Sequence, residues 1–140
     1  MKLMGLDVGE KRIGVALSDD TGSFAFPFTT IVRTVSEKAD LRSIVCVIEE
    51  ENVSKVIVGI PIMLSGQEAV QAEKIRAFAG KLARRLRIPL EYWDERYSTA
   101  EAERLLIDAG KSREARKNII DKTAAAVILQ SYIEAKGNDS

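Results

Sequence analysis

The sequence predicts an α/β protein with a mixed sheet of about five strands flanked by helices. Three observations carry that expectation. Two apolar runs near the amino terminus, residues 2 to 8 and 12 to 18, are separated only by the tight "GEK" turn, which reads as an antiparallel hairpin. Short β-branched runs then alternate with segments whose apolar residues recur at helical spacing. The order β-β-β-α-β-α-β-α-α therefore makes the first three strands antiparallel and the first, fourth and fifth parallel through helical crossovers.

Taken in order, "TTIVR" (29 to 33) is the third strand, and Leu41, Ile44, Val45 and Ile48 mark the first helix. "KVIVGI" (55 to 60) is the fourth strand, and Ile75, Phe78, Ala79, Leu82, Ala83 and Leu86 form the stripe of the second helix. Ser65 with Glu68 reads as its capping box. "IPLEYW" (88 to 93) supplies the fifth strand, Ser98 with Glu101 a further capping box and Gly110 a helix stop. The last helix is expected from about Asn118 to Ala135. Residues 1–137 then make a single domain, with 138–140 a frayed tail.

Composition narrows the chemistry. The chain has 140 residues, 46% hydrophobic, with Lys+Arg and Asp+Glu balanced at 21 each, enough for one soluble globular core. Its start lacks the apolar run of a signal peptide, and no stretch approaches the ~20 residues of a membrane span, so a cytoplasmic location is expected. Cys46, the single cysteine, reads as core filler in "SIVCVIE". There is no histidine. Imidazole bases, Ser-His-Asp and Cys-His nucleophiles and His/Cys zinc sites are excluded, leaving carboxylates, Lys, Tyr, hydroxyls and hard metal ions.

The acids are the informative residues. Asp7 interrupts an apolar strand, where a carboxylate is costly unless something positive meets it. Its partner is either a salt bridge to Lys11 or Arg12, or a metal ion. If the parallel strands share a carboxyl edge, Asp94 and Glu95 end the fifth strand on that edge, and adjacent strand residues point to opposite faces. Glu95 is favoured, although spacing alone leaves Asp94 open. Asp121 has two readings. Behind a helix cap at Asn118 it simply suits the positive helix end; yet at 100° per residue it lies on the line of Ala124, Ala125, Ile128 and Tyr132, the face that must meet the sheet. Small residues at Gly5, Gly14, Ala16 and Ser18 leave room nearby. Converging carboxylates without histidine suit Mg²⁺ or Mn²⁺, which can activate water in phosphodiester hydrolysis.

Lys111, Arg113, Arg116 and Lys117 in "GKSREARKN" stand just before the Asp121 helix, as a phosphate-contacting loop or as solvated surface. Phe24, Phe26 and Phe28 in "SFAFPF" alternate; core packing is the expected role, with base stacking as the alternative.

The motifs "GLDVGEKRIGVALSD", "VIVGIP", "FAGKLARRL", "WDERYSTAEAERLL" and "IIDKTAAAVILQSY" together resemble, in order, those of the YqgF (RuvX) family. The resemblance implies an RNase-H-like fold similar to RuvC resolvases, and activity as a junction resolvase or as a nuclease maturing the 5′ end of pre-16S rRNA. It carries the acidic site onto Asp7, Glu95 and Asp121, and adds Lys11, Arg12 and Asp19 from the first motif, with the basic pair near the phosphate path. Nucleic acid is the implied partner, and a homodimer would suit a symmetric junction. Two stretches depart from the pattern, "IMLSG" (62 to 66) and Tyr97, and both concern substrate contacts. An actin-like ATPase shares the Asp-x-Gly hairpin but needs a second such domain, and a non-catalytic RNA-binding assembly factor would keep the fold alone.

Overall fold

In the computed structural model, residues 1–61, 66–94 and 113–137 are described. Strands β1 (Leu3–Val8), β2 (Arg12–Ser18) and β3 (Ala25–Val32) precede helix α1 (Glu37–Glu50), β4 (Lys55–Ile60), helix α2 (Gly66–Ala83), β5 (Leu90–Asp94) and helix α3 (Arg113–Gly137). The sheet order is β3-β2-β1-β4-β5. β1 to β3 are antiparallel, while β1/β4 and β4/β5 are parallel. This is the expected mixed sheet. The capping boxes at Ser65 and Ser98, the stop at Gly110 and the tail 138–140 lie, in whole or in part, outside the described residues.

Alternation along the strands divides the core. Met4, Leu6, Val8, Ile13, Val15, Leu17, Val56, Val58 and Ile60 face α1 and α2, where they meet Leu41, Ile44, Ile48, Ile75, Phe78 and Leu82. Leu3, Ala16 and Ile57 face α3 and pack on Ala125, Ile128, Leu129 and Tyr132. Both faces are thus covered, as parallel strands require. Helix α1 begins at Ser36, whose hydroxyl accepts from Ala39 N at 3.2 Å, and its apolar stripe leaves Cys46 exposed on the outer side. The core-filler reading of Cys46 is therefore corrected: it falls off the line of Leu41, Ile44 and Ile48.

Two other expectations change. β3 begins four residues earlier than "TTIVR" and takes in "AFPF", with Phe24, Phe26 and Phe28 exposed at 70%, 44% and 40% rather than in the core. Pro27 is tolerated because β3 is an edge strand, and a register shift opposite Val15/Ala16 interrupts strict alternation. Helix α3 is already under way at Arg113. Asn118 is then not its cap, and Asp121 lies two turns inside the helix, beyond reach of the dipole argument.

The close approach of α3 depends on Gly5. A Cβ there would stand 2.8 Å from both the Ala125 carbonyl oxygen and Leu129 Cβ. The far end of α3 is held by Tyr132, whose hydroxyl lies 2.6 Å from Lys55 Nζ and donates to Glu91 Oε2 at 3.0 Å. Lys55 and Glu91 also pair directly at 2.6 Å. That contact with Glu91 raises the Lys55 pKa, and Lys55 lowers that of Glu91. Trp93 packs edge-on against the Tyr132 ring and donates to Ser131 Oγ at 3.1 Å.

Gly5→Ala should lower stability by about 1–3 kcal/mol in urea unfolding, because helix backbone must move. Tyr132→Phe should cost about 1 kcal/mol through its lost hydrogen bonds. The Glu91 contribution should fade as pH falls through its depressed pKa, and that of Lys55 as pH rises through its elevated one.

Candidate active site

The hairpin between β1 and β2 is tight because Gly9 N donates to Arg12 O at 2.8 Å. A Cβ on Gly9 would stand 2.7 Å from that same oxygen. The turn brings Asp7, at the carboxyl end of β1, and Lys11 and Arg12, at its mouth, to one end of the sheet. Asp7 is half-buried and shares the α3 face with Leu3 and Gly5 by alternation.

Its strand neighbours carry no side chains at that level. Gly14 of β2 pairs with Asp7, and β4 presents Gly59 two residues beyond Ile57, the partner of Gly5. The same alternation sorts β5. Tyr92 packs against the α1–α2 core, whereas Trp93 packs with α3, so Asp94 belongs to the face opposite Asp7. Glu95 lies outside the described residues.

Helix α3 runs antiparallel to β1, since Ala125 and Leu129 meet Gly5 while Tyr132 meets Lys55, which pairs with Leu3. From Gly5 to Asp7 is two strand residues, about 7 Å. From Ala125 back to position 121 is four helix residues, about 6 Å in the same direction. Position 121 thus lies one helical turn before Ala125, toward the Asp7 end of β1. Among the described residues no three acidic or thiol side chains gather into a metal-binding group.

A groove of about 630 Å³ opens at this end, lined by Glu10, Lys11, Arg12, Val32, Arg33, Thr34 and Lys74. Arg12 Nε is buried and has no hydrogen-bond partner among the described residues. Arg33 donates to Gly9 O at 2.9 Å and stacks 4.8 Å from the Phe78 ring centroid, while Lys74 pairs with Glu10 at 3.1 Å. Sequence reasoning missed Arg33 and Lys74. Only the continuation of β3 past Val32 toward the hairpin tip could have hinted at Arg33. Of the other expected cations, Arg113, Arg116 and Lys117 stand in the opening turns of α3 rather than in a loop, and Lys111 lies outside the described residues.

Two acids resolve as scaffolding. Asp40, buried to 1% exposure, accepts from Thr34 N at 3.0 Å and Thr34 Oγ1 at 2.9 Å, which pins the β3–α1 connection. Asp19, carried into the site by the family motif, follows Ser18 at the opposite end of the sheet. It accepts from Thr21 Oγ1 at 2.5 Å, Ser23 N at 2.7 Å and Phe24 N at 3.0 Å. Those donors, Thr21 foremost, pull its pKa down to about 2.

Its ionised form therefore supports the loop at all pH values above the ordinary carboxylate range, and that support fades as pH falls toward about 2. A carboxyl-carbon NMR titration should place the Asp19 midpoint near 2. Asp19→Ala should loosen the Ser23–Phe24 loop, read as faster amide exchange at those two residues with the exchange of β1 unchanged.

Comparison with known proteins agrees with this architecture. A relative from Desulforudis audaxviator, named "Putative pre-16S rRNA nuclease", is 46% identical over 136 residues, covering 97% of this chain and 96% of the relative. One of the same name from Halothermothrix orenii is 47% identical over 133 residues, covering 95% and 94%. Among solved structures, Thermus thermophilus RuvC in complex with a Holliday junction superposes with a TM-score of 0.64 at 14% identity, covering 98% of this chain and 96% of that one. Fowlpox virus resolvase with its junction DNA gives 0.52 at 14% identity, covering 97% and 99%. These likenesses show the fold, which is that of RuvC-like, RNase-H-like proteins. Residues 1–135 match the family described as "RuvX: Holliday junction resolvase", and with relatives of such identity and coverage this chain belongs to the RuvX (YqgF) family.

Proposed function

We propose that this protein is a metal-dependent endonuclease that hydrolyses phosphodiester bonds of structured nucleic acid, processing the 5′ end of pre-16S rRNA in the bacterial cytoplasm. One observation carries the reading: a half-buried Asp7 at the carboxyl end of β1, between glycines of both neighbouring strands. The names of the relatives support the substrate.

Asp7, Glu95 and Asp121 would hold Mg²⁺ or Mn²⁺, since carboxylates without histidine are the donor set hard cations prefer. Bound there, such an ion would supply an activated water and charge stabilisation at the leaving oxygen. Choosing Glu95 over Asp94 rests on the alternation that sets Asp94 with Tyr92. Choosing Asp121 rests on its place one turn before Ala125 and on its distance from the helix start.

The chain's own cations address the phosphates. Arg12 lines the groove, and its buried Nε has no hydrogen-bond partner among the described residues, a donor costly to leave unsatisfied. Lys11 lies beside it in the groove. Arg113, Arg116 and Lys117 stand in the first turns of α3, where positive charge runs against the helix dipole, and Lys111 precedes them in sequence; phosphate contact accounts for cations that helix stability does not. The family description favours a second reading, cleavage of four-way DNA junctions, for which a homodimer with two sites is the fitting assembly.

Purified protein with Mg²⁺ or Mn²⁺ should cleave a pre-rRNA leader, and a four-way DNA junction assayed beside it decides between the readings. Asp7→Asn, Glu95→Gln and Asp121→Asn should each lower cleavage by more than about a hundredfold and weaken Mn²⁺ binding in titration calorimetry. Asp94→Asn should do neither; an equal loss there would move the site to Asp94. Arg113→Ala with Arg116→Ala should flatten the log-log salt dependence of binding by about 0.7 to 0.9 per lost contact, with Mn²⁺ affinity intact.

A further inference from the structure

The exposed aromatic edge of the sheet has no role in the core or in the acidic site. Phe24, Phe26 and Phe28 are exposed at 70%, 44% and 40%, along an edge strand that no further described strand covers. Beyond them the same strand leads through Val32 into Arg33 and Thr34, which line the groove with Glu10, Lys11, Arg12 and Lys74; Lys74 pairs with Glu10 and Arg33 with Glu37 and Asp40, so Lys11 and Arg12 are the cations it offers a phosphate. We infer that the β3 phenylalanines and this groove form one continuous track for an unpaired nucleotide strand, with rings against bases and cations along phosphates.

Geometry favours a single strand over a duplex. Phe24 and Phe26, alternate residues ahead of the register shift, stand about 7 Å apart, roughly twice the 3.4 Å rise per base in a duplex. Rings at that interval match bases pulled out of a stack, and only unpaired bases offer their faces. From Phe24 to Arg33 the track is roughly 30 Å long. Asp19, whose carboxylate holds Phe24 N, and exposed Asp20 place negative charge at its outer end, so phosphates are favoured only toward the groove and Asp7.

A second copy pairing along the edge is less well served. Ala25 N already donates to Gln130 Oε1 at 2.8 Å, and Pro27 has no N–H to offer. What remains at this end of β3 is side chain, not an open backbone ladder.

The track rests on the nuclease reading for its direction, but its binding is measured without cleavage. Fluorescence anisotropy would compare short labelled single strands of RNA and of DNA with the corresponding duplexes. Phe26→Leu with Phe28→Leu should weaken single-strand binding roughly tenfold or more, leave its salt slope and duplex binding unchanged, and leave the melting temperature intact. Phe26→Tyr with Phe28→Tyr should bind within about twofold of wild type, because stacking survives where mere apolar volume would not have sufficed. Weakening on RNA alone would support the track and assign it to RNA; equal weakening on both supports it as sugar-tolerant. Wild-type affinity in the leucine variant, or equal loss on duplex, would overturn it. So would a wild-type dimer in sedimentation that the leucine variant dissociates, since the face would then serve self-association. Cleavage that persists beside an unaffected leucine variant would defeat the track alone, and ring-dependent binding without any metal-dependent cleavage would defeat the nuclease reading alone.

Discussion

The contact of helix α3 with Gly5 is the constraint on which the site depends. The helix carbonyl at Ala125 and the Cβ of Leu129 occupy the space a side chain at position 5 would need, so the helix lies against strand backbone rather than on a cushion of side chains. Close approach makes short steps count. Two residues along β1 and one turn back along α3 lead to Asp7 and to position 121, over nearly the same rise. A bulkier layer between sheet and helix would separate those positions by the width of the side chains that filled it.

The two ends of the sheet divide the work. At the amino ends of β4 and β5, Lys55, Glu91 and Tyr132 satisfy one another, and from farther along β5 Trp93 reaches back to Ser131. This paired cluster fixes the rotation of α3 about its axis. At the other end the glycines of β2 and β4 flank Asp7, and Arg12 Nε has no hydrogen-bond partner among the described residues. Saturated polar groups hold the scaffold, and the buried side-chain donor left unsatisfied among the described residues belongs to Arg12. Asp40 and Asp19 belong to the first kind, since each is consumed by hydroxyl and backbone donors of its own loop.

Edge strand β3 connects these ends. Its register shift and Pro27 reduce its capacity to recruit another strand, yet its aromatic side chains remain exposed. Asp19 at its start and Lys11 and Arg12 beside its other end give the strand a direction, acidic at one end and cationic where it enters the groove. That polarity would orient a phosphate chain toward Asp7 rather than away from it.

Periodicity alone determined the element order, the hairpin, the two-faced sheet and the lean of α3 through its alanines, because burial imposes repeats of two and 3.6 that local sequence records. The absence of histidine likewise removed imidazole chemistry, and the acid in an apolar strand singled out Asp7 among the groups that remained. Tertiary structure decided what no local repeat encodes. It put Asp19 at the far end because antiparallel pairing reverses β2, separated Asp94 from Asp7 through the packing of Tyr92 and Trp93, and brought Arg33 and Lys74 beside Lys11 across long stretches of chain. It also left the β3 phenylalanines exposed, since no described helix covers that edge on their side, and hydrophobicity by itself cannot say which apolar residues a fold has surface enough to bury.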